Sequence, residues 1–522
     1  MSVLKQQTPV VRPLPICIHL SEGTSIMVHR WPSKYPWTRR YSLSDCSFCT
    51  NSATRISVCP IEPLAFCSKR DIRDSDVNTD IRILDIIAIS LTTGEPGDVV
   101  AAAFDRQERL GLFLAKNGPP TLEDQNATAR LIAAITDPAT KSVVEIFPFL
   151  LSRCRANMDK RINNLHKSIS DFYVDLGSAL PQYTPMSTEV EFPGSTLYRR
   201  GKYGNGEPLF RTMLSDLVGE ICSASAFQLD PDRVDSSLQR YSWLFNVAEP
   251  LLHSRFLKEL CGDRNRLNLA RKEKAERLKR RLAKVCQYFS GVTQLVKRAK
   301  RWFPDGQIPY RWVNDAFVGT GEARFDLCDD HVDAVQRAFG LQSLLSSETL
   351  HTLAESFPDM PSNWERRRIV NTCIYAELRI ILHLSASSLS NISRSRITLE
   401  QSKRQPIGCS KRSCFCCTLW IDAHNEKFKT QWSTSGSHGK PYATWALPGD
   451  AARYGTSDVD AAVLHGVSVR LTDTLAWLFP GQKKISDEHV SSGDDSSDSD
   501  DSGKDWREHV YRIGEGSEAV DF

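Results

Sequence analysis

Between Ile407 and Trp420 the chain reads IGCSKRSCFCCTLW, with three cysteines in four residues, Cys414, Cys416 and Cys417, and a fourth at Cys409. No other stretch limits the possible folds as much. Cys414 and Cys417 stand three residues apart, so a helix starting there puts both sulfurs on one face of its first turn. The positive end of a helix also favours thiolate over thiol, the form that metal binding and redox chemistry need. The cluster could therefore be a metal grip, a redox pair, or buried thiols packed in a core, since free cysteine is among the most buried residue types. Cys409 and Cys416 read as packing residues.

Compartment narrows the choice. The chain has 15 cysteines, an odd and scattered number. Its first twenty residues lack a charged segment followed by a long apolar one, so no secretory leader is expected. No apolar run reaches the length of a membrane span. An intracellular setting, cytoplasmic or nuclear, is expected, where clustered cysteines serve as metal ligands or catalytic groups more often than as disulfides.

A second piece of chemistry lies upstream. RRRIVNTCI has the β-branched content of a short buried strand and leads into Tyr375-Ala376-Glu377 at the start of a helical stretch, YAELRIILHL. PIGCSK then reads as a strand or loop leading to Ser413 and Cys414, with 36 residues between Glu377 and Cys414. Zinc-dependent deaminases use two such strand-to-helix junctions, one bearing H-x-E and the other P-C-x-x-C.

IGCSKRSCFCC followed by GSHGKPYATWALP resembles the OTT-type deaminase-like family of the cytidine deaminase superfamily, in particular its large fungal members, over roughly residues 365–450. The resemblance implies a three-layer α/β/α domain, Zn2+ held between two helix N-termini, and hydrolytic deamination of a nucleobase or nucleotide. It implies Glu377 as the proton shuttle and Cys414 and Cys417 as the metal thiolates. Two positions depart from the pattern. Ser413 replaces the usual proline, and Tyr375 stands where the histidine ligand belongs. A phenol with an ordinary pKa near 10 is a poor zinc ligand at neutral pH, and two thiolates leave a catalytic zinc one protein ligand short. Candidate substitutes or neighbours are Cys373, two positions upstream on the same side of the strand, and His438 in the GSHGK loop. His383 points off the required direction. The alternative is a degenerate site that keeps the scaffold as an interaction protein. Trp445 reads as core filler.

The remaining sequence gives an α+β expectation: a mixed region 1–115, a helical region 116–305, a deaminase-like α/β domain 306–482, and an acidic serine-rich tail 483–522 too polar to fold. IRILDIIAISLTTGEPGDVVAAAF reads as strand-like. TLEDQNATARLIAAI opens a helix with Thr121 as N-cap, and 181–212, rich in Pro, Gly and Tyr, reads as a long loop or insertion. Cys46, Cys49, Cys59 and Cys67 match a structural zinc site poorly, because the second pair is too widely spaced.

The sharpest helical period runs through Ala275, Leu278, Leu282, Val285, Phe289, Val292, Val296 and Ala299, one apolar seam. Residues 264–284 carry ten Lys or Arg and two Glu. Arg271, Lys272, Lys279 and Arg280 on that helix are candidates for nucleic-acid contact, against the plainer reading of a solvated face. Net charge is only +3 and by itself argues for no partner. A nucleobase, nucleotide or nucleic acid is the expected ligand, and no membrane is expected.

Overall fold

Residues 100–105 read VAAAFD. Three alanines in a row make a poor strand by propensity, because β structure rewards side chains that fill a pleated surface. Alanine suits a strand crowded by helices on both faces, and that is its place here. The computed structural model describes residues 75–105, 110–262, 269–313, 321–338, 346–390, 404–448 and 451–478. Cys46, Cys49, Cys59, Cys67 and the acidic tail lie outside the described residues.

The chain enters through α1 (Ser75–Leu91), then β1 (Val100–Asp105) and β2 (Gly111–Lys116). A helical stretch follows, whose main members are α2 (Leu122–Thr136), α3 (Val143–Ala179), α4 (Phe210–Ala224), α5 (Val234–Leu252), α6 (Leu269–Cys286) and α7 (Val292–Trp302). The α/β part resumes with β3 (Tyr310–Trp312), β4 (Ala323–Asp326), β5 (Ile369–Thr372), α8 (Ala376–Ser390), β6 (Gln405–Cys409), α9 (Phe415–Phe428), β7 (Trp432–Ser433) and α10 (Ser457–Leu478).

Five strands form a mixed sheet in the order β3-β2-β1-β6-β7, and β4 and β5 form a separate two-stranded ribbon. β1 pairs antiparallel with both β2 and β6, placing Ala103 opposite Phe113 and Ala101 opposite Cys409. The outer pairs, β2 with β3 and β6 with β7, are parallel. Alternation along β1 separates two cores. Val100 and Ala102 join a core with α1 and the helical stretch. Ala101 and Ala103 join another with Leu378 and Ile381 of α8, Cys416 and Trp420 of α9, and Val463 of α10. The fold is thus α+β, with a helix–sheet–helix sandwich at its centre.

Three expectations change. Ile81 to Leu91 belong to α1, not to a strand. The segment looked extended because α1 lies between sheet and bundle, so burial on nearly all sides removes the polar face that a surface helix would show. Its contact with the sheet is close: a Cβ at Gly408 would lie 2.1 Å from the Leu84 carbonyl carbon, and Asp85 accepts the Cys409 N–H at 2.8 Å. Second, β1 and β2 supply central strands ahead of the helical stretch, so the sheet unit begins well before the boundary expected at 306. Third, residues 181–212 hold short helices, Thr188–Glu191 and Thr196–Tyr203, rather than one long loop. They are organised by the buried Glu191 carboxylate, which accepts from Tyr183 Oη at 2.7 Å and Met186 N at 2.8 Å.

Other expectations stand. Thr121 caps α2 in a reciprocal capping box with Asp124. The seam residues of α6 and α7 are buried, except that Phe289 is half-buried and stacks on Phe245 at 4.6 Å. A π-helical turn, Gln287–Gly291, joins the two helices. No helix among the described residues is long and apolar enough to cross a membrane.

Candidate functional site

Two helix starts meet beside the sheet. Past the end of β5, Cys373 bridges to Trp445: the Cys373 N–H donates to the Thr444 carbonyl oxygen at 2.9 Å, and the Ala446 N–H donates to the Cys373 carbonyl oxygen at 2.9 Å. Three residues later α8 begins. Asn117 Oδ1, at the end of β2, accepts the Ala376 N–H at 2.9 Å and so satisfies one of the donors a helix start leaves open. Arg379 fixes the same turn by donating to the carbonyl oxygens of Lys116, at 2.8 Å, and Gly118, at 2.5 Å. Glu377 is therefore held in the first turn and faces the second helix start.

That second start is α9. Cys414 is its N-cap in extended conformation, and its sulfur accepts the Cys417 N–H at 3.3 Å, as a serine hydroxyl would at this position. The preceding residue, Ser413, pairs with Ser437 and anchors the 434–447 loop beside the helix. From that loop Trp445 donates its Nε1–H to Cys417 Sγ at 3.2 Å.

The structure brings Glu377, Cys414 and Cys417 together. Glu377 is 2% exposed, Cys414 1% and Cys417 0%. The Cys417 thiol and Ser413 lie close enough to the Glu377 carboxyl to act on its charge, while its Oε2 has no hydrogen-bond partner. Burial raises the Glu377 pKa, against smaller lowering contributions from its own backbone N–H, Cys417 and Ser413. Burial also raises both thiols, and the neighbouring Glu377 carboxyl adds to the rise. The protein alone thus favours thiols over thiolates at this site.

Tyr375 flanks both thiols, and burial followed by Cys414 pushes its phenol well above the ordinary value. Its hydroxyl is hydrogen-bonded with Thr444 Oγ1 at 3.0 Å. The other candidates do not complete a ligand set. Cys373 adjoins Tyr375, and its thiol, pushed up to about 12 by burial and then by Glu322, faces Glu322, Arg379 and Glu377. His438 accepts the Lys440 N–H at Nδ1, 3.1 Å away, and its charged neighbours are Lys440, Arg412 and Lys284. His383 packs on Phe113 with ring centroids 4.9 Å apart. Among the described residues no group of three His, Cys, Asp or Glu is arranged to hold a metal ion. Two cysteines and a phenol hydrogen-bonded with Thr444 leave a three-ligand catalytic zinc one ordinary protein ligand short.

Lys272, Lys279 and Arg280 of α6 act on Cys261, next to the bundle's short helix Arg255–Leu260. Arg280 also pairs with Glu276 at 3.6 Å. Arg271 is half-buried on the same helix.

Several site residues escape inspection of the sequence. Trp445 does fill core, but it also binds a thiol; the requirement that a buried indole N–H find a partner is the only hint. Asn117 lies more than 250 positions from the helix it caps. Ser413, read only as a replaced proline, lies near the acid and donates its hydroxyl to Thr434 Oγ1 at 3.2 Å.

Residues 374–449 match the family model described as OTT_1508_deam, an OTT_1508-like deaminase. No curated protein and no solved structure matches the chain. The matched segment begins next to Cys373 and contains Tyr375, Glu377, Cys414, Cys417 and Trp445, so over both helix starts the chain is similar to the OTT_1508-like deaminases.

Proposed function

We propose that this deaminase-like protein uses its fold as a binding scaffold and does not carry out zinc-dependent hydrolytic deamination. The observation that carries this reading is Tyr375. At the position of the third metal ligand it offers a phenol whose proton is hard to remove and whose hydroxyl is engaged with Thr444. Hydrolytic deamination of a base depends on a metal-activated water together with a proton-shuttling glutamate. Without a third protein ligand the first requirement is missing, although Glu377 supplies the group for the second. The remaining hydrogen bonds, Trp445 to Cys417 and Cys417 to Cys414, fix the start of α9 and tie it to the loop that bridges Cys373 ahead of α8. A reducing compartment, cytoplasm or nucleus, suits thiols used in this way.

A second reading keeps the enzyme: zinc on Cys414 and Cys417, Glu377 as proton shuttle, and a nucleobase or nucleotide as substrate. The partnerless Oε2 of Glu377 favours it, because a buried carboxyl oxygen without a hydrogen bond is costly. Metal analysis separates the two. Full-length protein purified without chelator is expected to hold well under one zinc per chain. Tyr375→His is expected to raise this toward about one, and adding Cys414→Ser to that variant should abolish the gain. Wild-type protein carrying a full equivalent of zinc, lost in the Cys414→Ser/Cys417→Ser variant, and releasing ammonia from a nucleoside or nucleotide would overturn the scaffold reading.

A further inference from the structure

Lys284, in the last turn of α6, stands where three segments meet. Arg161 of α3 donates from Nη1 to the Lys284 carbonyl oxygen at 2.9 Å and so draws α3 against the helix end. On the other side lies the turn that precedes α9, which brings Arg412 near Lys284. The 437–440 loop closes the group. His438 N–H donates to the Ser413 carbonyl oxygen at 3.1 Å, and Phe415 N–H to that of Lys440 at 3.1 Å. Cations from the helical stretch and from two loops of the deaminase-like segment therefore surround His438, with Arg412 only two residues from Cys414.

The charged groups around Lys284 and His438 are of one sign. The four charged groups that act most on Lys284 are all cations, Arg161, Arg281, Arg412 and Arg280; after burial, they bring its pKa down to about 8. His438 is lowered to about 4, by burial first and then by Lys440, Arg412 and Lys284. A face on which cations gather draws anions to it. The positive surface also continues along α6. Arg277, Arg281 and Lys284 recur at steps of four and three, hence on one helix face, over ~10 Å. Beside Lys440 the rings of His438 and Tyr442, both half-buried, meet edge to face at 5.2 Å.

We infer that Arg277, Arg281, Lys284, Arg412 and Lys440 form a binding surface for the phosphates of a single-stranded nucleic acid, with the Tyr442 ring placed to meet a base. The cationic row runs on from the His438 cluster along α6 with an aromatic ring beside it, a combination that suits phosphates and bases together. A basic track with a stacking ring is the usual means of holding a single strand. The inference deepens the scaffold reading by naming its partner, yet the two fail separately: zinc content and ammonia release test the first, oligonucleotide binding the second.

The experiment is fluorescence anisotropy of the full chain with a labelled oligouridylate of about twenty nucleotides across a salt series. Binding should weaken with salt, with a log–log slope of about −0.7 for each phosphate contacted. Lys284→Glu combined with Arg412→Glu should weaken it by about tenfold or more and flatten the slope. Tyr442→Ala should reduce affinity with the slope unchanged, and Arg233→Glu, a control outside the cluster, should leave binding intact. Absent or salt-insensitive binding overturns the inference, as does full affinity in the double variant with its circular dichroism spectrum preserved. Displacement by free ATP as effective, per phosphate, as by unlabelled oligonucleotide would assign the surface to a mononucleotide and overturn the strand assignment.

Discussion

Gly408 is the residue at which the sandwich is most sensitive. Its place in β6 is fixed by the α1 backbone, since an added Cβ would lie 2.1 Å from Leu84 C and 2.2 Å from Asp85 N. Both are main-chain atoms, so no side-chain rotation relieves the clash. Gly408→Ala is expected to cost about 3 kcal/mol, read as a lower urea midpoint; an unchanged midpoint would mean that α1 sits farther from the sheet. At the same scale the candidate site was partly legible. Cys414 and Cys417 were identifiable because i, i+3 spacing at a helix start is a local property, and Glu377 through the family resemblance. Asn117, Ser413 and Trp445 were not, because each reaches the site through strand pairing or a loop return that carries no periodic signal.

Asp124 joins three elements. It closes the capping box of α2 and accepts from Lys116 Nζ of β2 at 3.0 Å, and it pairs with Arg153 of α3. Burial pushes its carboxyl upward, but hydrogen bonds from the Thr121 N–H and from Lys116, with the Lys116 charge, outweigh that and hold it below the ordinary 3.8. Asp98, next to the same lysine, is lowered despite burial by Thr93 and then Lys116. A carboxyl whose folded pKa is depressed contributes stability fully above the unfolded value and loses it as pH falls through the folded one. Stability should therefore drop as pH falls below about 4, and Asp124→Asn should flatten that acid limb while costing about 2 kcal/mol at neutral pH, because Lys116 and Arg153 lose a charged partner but keep Asp98 and Glu123. Denaturant midpoints between neutral and acid pH check both points. Among the elements, α2, α6, α7 and α9 follow from caps and apolar spacing. α1 does not, because isoleucines buried on nearly every side mimic a strand, and β3 and β7, three and two residues long, are too short to show any pattern.

At the scale of the molecule, the sheet and the helical stretch are not separable. α1, β1 and β2 share one buried core with α3, α5 and α6. Heating should give a single calorimetric transition, with near- and far-ultraviolet circular dichroism changing together; two resolved transitions would show the bundle to be a unit of its own. The same architecture bears on synthesis. β1 meets its β6 neighbour through contacts such as the Val100 N–H to Ser410 Oγ hydrogen bond, which spans 310 positions. A ribosome adding about 5–20 residues per second needs roughly 15–60 s to produce that partner. Throughout that interval the emerging chain carries an alanine-rich strand with one bare edge, so its yield in the cell rests on whatever shields that edge until translation catches up.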